Sequence, residues 1–154
     1  MADEFVEIES LGLTPRRENR AAAMQYVYMC EMCGGATSDA LVAEFFSSKP
    51  RDRAFYAFAE ELVAGVFANL PKIDERIAQS AENWSFNRIS KVDLAILRVA
   101  VFEMFYRDDV PSVVSINEAI ELSKMFSGPD SKRFINGVLD RLKASAPRKS
   151  SEKK

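Results

Sequence analysis

Residues 89–106 read ISKVDLAILRVAVFEMFY, and this nearly continuous apolar stretch decides the fold class. An apolar run of this kind is typical of either a buried strand or a buried helix, and its length separates the two. Strands usually run for about 4–8 residues, whereas this stretch is much longer and is interrupted by charges at Asp93, Arg98 and Glu103. It therefore predicts a central helix, in which the three charges are paired or face a groove or a partner.

Helical patterns also run through the segments on either side of this stretch. The segment 16–32 follows Thr14-Pro15, a pair that resembles a helix start. The predicted helices cover 16–32, 40–45, 51–70, 73–81, 89–106, 111–125 and 131–142. No segment predicts a convincing strand. The sequence therefore indicates an all-α fold of about seven helices, with Pro71 separating two helical halves that pack together.

The composition excludes most kinds of catalytic site. The chain of 154 residues contains no histidine, which removes serine–histidine and cysteine–histidine catalysis and a histidine general base. Two cysteines cannot form a four-cysteine zinc site, and the carboxylates show no spacing typical of a paired acid and base. No glycine-rich phosphate loop is present. We therefore expect one compact domain, or two small subdomains that share a core, with none of these catalytic or metal sites and no cofactor.

The cysteines and the character of the N-terminus bear on where the protein works. Cys30 and Cys33 form a CxxC pair at the end of a predicted helix, whereas a redox CxxC opens a helix after a strand. We therefore interpret them as structural thiols. No apolar run is long enough to span a membrane, and the acidic start is unlike a signal peptide. Together these features favour a cytoplasmic protein.

The formal net charge of −2 conceals two oppositely charged ends. Residues 1–15 carry four acidic side chains and no basic one, whereas residues 141–154 carry six basic side chains and one acidic one. We therefore predict an acidic N-terminal tail over 1–15, a folded domain over 16–143 and a solvated basic C-terminal tail over 144–154.

Three arginines, Arg16, Arg17 and Arg20, occupy the start of the first predicted helix. The positive end of the helix dipole lies there, so each arginine costs about 0.3–1 kcal/mol. Phosphate binding offers a reason for this placement, because exposed helix N–H groups and guanidinium groups both favour phosphate. The alternative is a solvated basic end that the acidic tail neutralises.

A second candidate for nucleic-acid binding is Phe134, which follows Lys132-Arg133. Basic residues beside an aromatic ring suit stacking on an unpaired base, and the alternative is a core phenylalanine.

A polar residue and a glycine inside the predicted helices also need a structural explanation. We expect Asn117 to be a buried polar group that bonds loop backbone. Gly137, inside a predicted helix, indicates close helix packing or the approach of a ligand.

Four motifs follow one another in a fixed order along the chain. They are Arg16-Arg17 with Arg20 leading into Ala23-Met24-Gln25-Tyr26-Val27-Tyr28, then Val92 to Met104, then Asp109-Val110-Pro111 with Ile116 to Phe126, and finally Lys132 to Asp140. One motif alone is weak, but four with matching order and spacing are specific. Together they resemble the transcription antitermination factor NusB family, over about residues 16–143.

The resemblance implies an all-helical fold in which two perpendicular helical groups share one core, and it implies no catalysis. It further implies binding of a short single-stranded boxA sequence in nascent ribosomal RNA. The implied partner is NusE, a small-subunit ribosomal protein that forms a heterodimer with members of the family. The complex helps RNA polymerase to read through terminators.

Carried over residue by residue, the resemblance implies two sets of binding residues. The implied RNA contacts are Arg16, Arg17, Arg20, Arg98, Asp130, Lys132 and Phe134, and the implied NusE contacts are Tyr28 and Asp93. Three features depart from the family pattern: Glu18 interrupts the arginines, Asp93 is shorter than the expected glutamate, and an acidic extension precedes Arg16. We therefore expect weaker RNA affinity, or an affinity modulated by the tail competing for the arginines.

Two alternatives remain at this point. One is a self-associating homodimer that covers its own RNA surface. The other is an RNA-binding module that acts with an rRNA-modifying enzyme, since domains of this family also occur fused to rRNA methyltransferases. The chain has no cofactor-binding βα pattern, so any such enzyme acts in trans.

Overall fold

The computed structural model describes residues 7–82 and 84–152, except for the side chain of Ser151, and this part is built of α-helices. They are α1 Pro15–Met32, α2 Asp39–Ser47, α3 Ala57–Ala68, α4 Leu70–Ser80, α5 Lys91–Tyr106, α6 Ser112–Phe126 and α7 Pro129–Lys143. No strand occurs in the described residues, so the all-α prediction is confirmed. Within the same residues, no helix is long and apolar enough to cross a membrane.

Capping side chains explain where several helices begin. Thr14 Oγ1 accepts a hydrogen bond from the Arg17 amide at 3.4 Å, and Ser90 Oγ accepts one from the Asp93 amide at 3.2 Å. These oxygens satisfy backbone donors that have no partner within the helix. The predicted boundaries of helix 51–70 are wrong, because a 3-10 turn precedes α3 and Pro71 lies in the first turn of α4, where proline fits well.

Helix α5 is the centre of the molecule. It packs against α1 and α3, which contact each other, and against α6 and α7, which also contact each other. Helix α4 joins these groups by packing on α3, α5 and α7. Residues 94–102 of α5 are all buried, and one continuous apolar core extends through the helices. The predicted pair of helical groups around one core is therefore confirmed.

Close packing at a glycine occurs on α3 and not at the predicted position. A Cβ added to Gly65 would lie 2.0 Å from Cζ of Phe102, so the α5 ring occupies the space beside this glycine. A Cβ added to Gly137 would lie 3.5 Å from Nη1 of Arg141, which is ordinary contact. Close helix packing at Gly137 is therefore wrong, and the approach of a ligand there stays a prediction. The prediction of a buried Asn117 is wrong too, because this residue lies among the exposed positions of α6.

Both predicted tails make contacts with the body of the domain. Ile8 is 1% exposed and belongs to the apolar core. Lys149 is 2% exposed, and its Nζ donates hydrogen bonds to the carbonyls of Glu103 and Arg107. These carbonyls lie at the C-terminal end of α5, where a cation is favourable. The prediction of a solvated tail is therefore wrong at Lys149. The charged residues outside the described part are Asp3, Glu4, Lys153 and Lys154.

Candidate nucleic-acid interface

The arginine-rich start of α1 is divided between the surface and the interior. Arg17 is half-buried and donates two hydrogen bonds of 2.9 Å to the Glu118 carboxylate on α6. Arg20 is 5% exposed and donates hydrogen bonds of 2.9 and 2.8 Å to the Glu103 carboxylate on α5. Arg16 is exposed. Of the three arginines on α1 that were predicted to contact RNA, Arg16 is therefore the most exposed to solvent.

Carboxylates on neighbouring helices explain why arginines are tolerated at a helix start. Hydrogen bonding by Arg17 lowers the pKa of Glu118, so this carboxylate stays charged at neutral pH. In the described part of the acidic segment, Glu9 pairs instead with Lys49, with 3.6 Å between the carboxylate oxygen and Nζ. The predicted competition of the tail for the arginines stays a prediction for residues 1–6, which lie outside the described part.

Three guanidinium groups lie close to one phenylalanine ring beside this helix start. The guanidinium carbons of Arg16, Arg20 and Arg107 lie 3.8, 5.2 and 5.1 Å from the centroid of the Phe58 ring. Such cation–π contacts are worth about 0.5–1 kcal/mol at exposed sites. The ring therefore helps to hold Arg16 in a position from which it can bind a phosphate.

Three more of the predicted residues meet at a pocket beside the start of α7. The pocket encloses about 190 Å³, and its lining includes Trp84, Arg88, Asp93, Asp130, Ser131 and Phe134. Phe134 is half-buried, and its ring centroid lies 5.8 Å from that of Trp84, with 60° between the ring planes. Asp130 and Lys132 are exposed on the first turn of α7. Two aromatic rings, the Asp130 carboxylate and the Arg88 guanidinium thus share one pocket, and Lys132 lies outside its lining.

The two predicted NusE contacts are both mostly buried. Asp93 is 7% exposed, and its two carboxylate oxygens accept hydrogen bonds of 2.8 Å from the hydroxyls of Ser127 and Ser131. These bonds fix the start of α7 to the start of α5. Tyr28 is 6% exposed and lies in the apolar core. Contact of either residue with a partner stays a prediction.

Arg98 is the centre of a buried ion-pair group. It is 5% exposed, donates two hydrogen bonds to Asp74 at 2.9 and 2.8 Å, and donates a third to Glu31 at 2.8 Å. The hydrogen bond from Arg98 lowers the pKa of Glu31. Arg98 and Glu103 are therefore confirmed as paired charges, whereas Asp93 is bonded to two hydroxyls and lines the pocket. The guanidinium of Arg98 has no exposed face for RNA in this arrangement, so we assign it to the framework of the site.

Trp84 and Arg88 were not among the predicted site residues, although both line the pocket. Trp84 is the only tryptophan of the chain and is 52% exposed. The signal for it in the sequence was a large aromatic residue placed in the polar bend 81–85. A bend carries no periodic pattern, so the sequence could not show that this ring turns toward Phe134.

Neither cysteine lines the pocket beside α7. Cys30 is buried and Cys33 is exposed, and both are free thiols. Burial raises the pKa of the Cys30 thiol, whereas redox cysteines have a lowered pKa. Among the described residues, no group of three or more Cys, Asp or Glu side chains is arranged to hold a metal ion. The geometry of the pair therefore favours structural thiols.

Similarity to known proteins extends over most of the chain. Residues 17–144 match the NusB family. The chain is 46% identical over 144 residues to "Transcription antitermination protein NusB" of Geotalea uraniireducens, with 89% of this chain and 99% of the relative covered. It is 42% identical over 130 residues to the protein of the same name from Myxococcus xanthus, with 82% and 93% covered.

Solved structures share the fold. A T. maritima NusB is 34% identical with a TM-score of 0.78, over 87% of this chain and 94% of that one. A crystal structure of antitermination factors NusB and NusE in complex with dsRNA matches at 22% identity and a TM-score of 0.75, over 85% and 97%. At 22% identity this second likeness concerns the fold alone.

Proposed function

The chain belongs to the NusB family, and we propose that it acts as a transcription antitermination factor that binds single-stranded RNA together with NusE. Relatives at 46% and 42% identity are named for antitermination, and one structural neighbour of the same fold is described with NusE and dsRNA. The proposed RNA is the boxA sequence of nascent ribosomal RNA. The proposed role is that of a cytoplasmic adaptor in the RNA polymerase antitermination complex and not that of an enzyme.

The observation that carries the RNA-binding part is the pocket beside α7, which the half-buried Phe134 lines together with the exposed Asp130 and Arg88. The exposed Lys132 lies in the first turn of α7, outside the pocket lining. A cation gains affinity for a phosphate by releasing counterions, and an aromatic ring offers a stacking face to an unpaired base. A carboxylate accepts hydrogen bonds from the amino groups of a base edge. This combination favours unpaired bases, because the bases of a duplex are stacked and paired.

On α1, the geometry favours Arg16 as the direct phosphate contact. Arg17 first has to leave Glu118, so its contribution is smaller than that of a free arginine. Arg20 and Arg98 are buried in ion pairs and hold the helices that carry the exposed residues. Their roles in RNA binding are therefore indirect in this proposal.

The proposed NusE surface lies near Asp93 and Tyr28. Because Asp93 bonds Ser127 and Ser131, an arginine at position 93 would disturb the start of α7 as well as any partner contact. Asp93→Asn is a sharper change, since it removes the charge and keeps the shape. We expect it to reduce co-purification of NusE without altering the circular dichroism spectrum.

Titration of labelled single-stranded boxA RNA, with and without NusE, tests the proposed function. We expect binding that NusE tightens, and a loss of affinity on Lys132→Ala but not on Lys72→Ala, an exposed lysine of α4. Absence of RNA binding in both conditions would contradict the proposal. Light scattering on the same samples detects the alternative, a homodimer that covers its RNA surface.

A further inference from the structure

Trp84 is the most exposed large apolar side chain of the described residues, at 52%. Single exposed apolar side chains are common on protein surfaces and are not sites by themselves. What distinguishes Trp84 is its surroundings, because it forms one wall of the pocket that also contains Phe134. Trp84 thus lies on the surface that we propose binds RNA.

The relation between the two rings leaves a face of the indole available. With the ring planes at 60°, Phe134 touches the indole obliquely and does not cover it as a parallel stack would. The pocket volume of about 190 Å³ lies below the 300–1,000 Å³ or so of typical ligand pockets. It therefore suits one planar ring system that enters from solvent, and not a whole nucleotide.

The rim of the pocket carries polar groups of both signs. Arg88 and Asp130 are exposed and line the same opening. A nucleotide has an anionic phosphate and a base edge with hydrogen-bond donors, so it is complementary to a guanidinium and a carboxylate together. An apolar side chain of a protein partner would match the aromatic walls but neither of these charges.

We propose that Trp84 stacks on one unpaired base of the bound RNA, while Phe134 holds the indole in place. Arg88 contacts the phosphate of that nucleotide, and Asp130 accepts a hydrogen bond from its base edge. This inference rests on the proposed function and adds a stacking residue to it. Base–aromatic stacking is tolerant of sequence, because every base has a π-face.

Tryptophan fluorescence tests this contact directly, because Trp84 is the only tryptophan of the chain. The full-length protein with NusE is titrated with single-stranded boxA RNA, and the emission of the Trp84→Phe complex is subtracted. We expect the single-stranded RNA to quench the emission of Trp84. The same RNA annealed to its complement is expected to leave it unchanged, because its bases are not available for stacking.

Binding measurements with labelled RNA give the size of the contribution. We expect Trp84→Ala to weaken binding by about five- to 140-fold, the range that alanine substitution gives for stacking on one base. Trp84→Phe keeps an aromatic face and is expected to retain most of the affinity. Tyr106→Ala removes a comparably exposed aromatic ring at the end of α5 and is expected to leave the affinity unchanged.

The outcomes separate this inference from the function on which it rests. If the Trp84→Ala protein binds RNA as tightly as the unaltered chain and RNA causes no quenching, the stacking role of Trp84 is wrong. Quenching by NusE alone, with no further change on RNA addition, would make the pocket a protein-docking site and also overturn the inference. If the unaltered chain binds no RNA at all, the proposed function fails with it.

Discussion

Arg20 on α1 and Glu103 on α5 are joined in the interior by two hydrogen bonds of 2.9 and 2.8 Å, with 5% and 1% of these residues exposed. Ser115 on α6 donates a further hydrogen bond to the Glu103 carboxylate at 3.3 Å. Lys149 bonds the Glu103 carbonyl. One ion pair thus connects three helices and the C-terminal segment. It holds the N-terminal half of α1, which carries the exposed Arg16, against the rest of the domain.

Removing one partner of this pair should destabilise the fold strongly. In Arg20→Ala, the Glu103 carboxylate stays buried without its counter-ion, and losses of this kind cost about 3–5 kcal/mol. Urea unfolding followed by circular dichroism measures the difference. Arg53→Ala is the matched control, because Arg53 makes an equivalent two-point pair with Glu60 on the surface, and we expect its unfolding midpoint to be nearly unchanged. Equal losses in both variants would contradict this prediction.

The pair of Arg17 and Glu118 should restrain RNA binding. In Glu118→Gln the charge that holds Arg17 is lost, so Arg17 becomes available for one more phosphate. We expect the slope of log K against log salt to steepen by about 0.7, the value for one phosphate contact on a single strand. Glu44→Gln makes the same change of charge at an exposed position of α2 and is expected to leave the slope as it is. No difference between the two variants would show that Arg17 does not reach the RNA.

The pair of Arg17 and Glu118 should also make the stability of the protein depend on pH in the acidic range. The pKa of Glu118 is lowered in the folded state by its hydrogen bonds with Arg17, from an ordinary value of 4.5. Its stabilising contribution is therefore fully present above pH 4.5 and is lost as the pH falls through the lowered pKa. We expect the difference in unfolding free energy between the unaltered chain and Glu118→Gln to shrink below that pH. A difference that stays constant down to complete acid unfolding would exclude this linkage.

The sequence predicted the helices well because a helix depends on local features, namely its apolar pattern and the residues at its start. The long apolar stretch 89–106 indicates α5, and Thr14-Pro15 marks the start of α1. The ion pairs could not be predicted, because Arg20 and Glu103 lie 83 positions apart, and Arg17 and Glu118 lie 101 positions apart. A local pattern carries no information on such pairs.

The residues of the candidate site also differ in whether the sequence could predict them, because some are placed by local spacing and others by long-range contacts. Asp130 and Phe134 lie four positions apart in one helix, so their spacing was enough to place them on one face, and both line the pocket. Lys132 lies two positions from each and is not part of the lining. The family resemblance implied an RNA contact for Arg98, whereas the interpretation from the apolar helix allowed a buried ion pair, and Arg98 is 5% exposed. Its burial depends on Asp74 and Glu31, which come from other helices. Trp84 joins the site only through tertiary contact with Phe134.

Two helix glycines that look alike in the sequence should respond in opposite ways to the same substitution. Gly65→Ala places a Cβ 2.0 Å from the Phe102 ring, so the ring or α3 has to move, and overpacking of this kind costs about 1–3 kcal/mol. Gly137→Ala meets only ordinary contact at 3.5 Å, and alanine is favoured over glycine in a helix by about 1 kcal/mol. We expect the unfolding midpoint in urea to fall for the first variant and to rise for the second. If both rise, the space beside Gly65 is not filled by Phe102, and the contact between α3 and α5 differs from the one described.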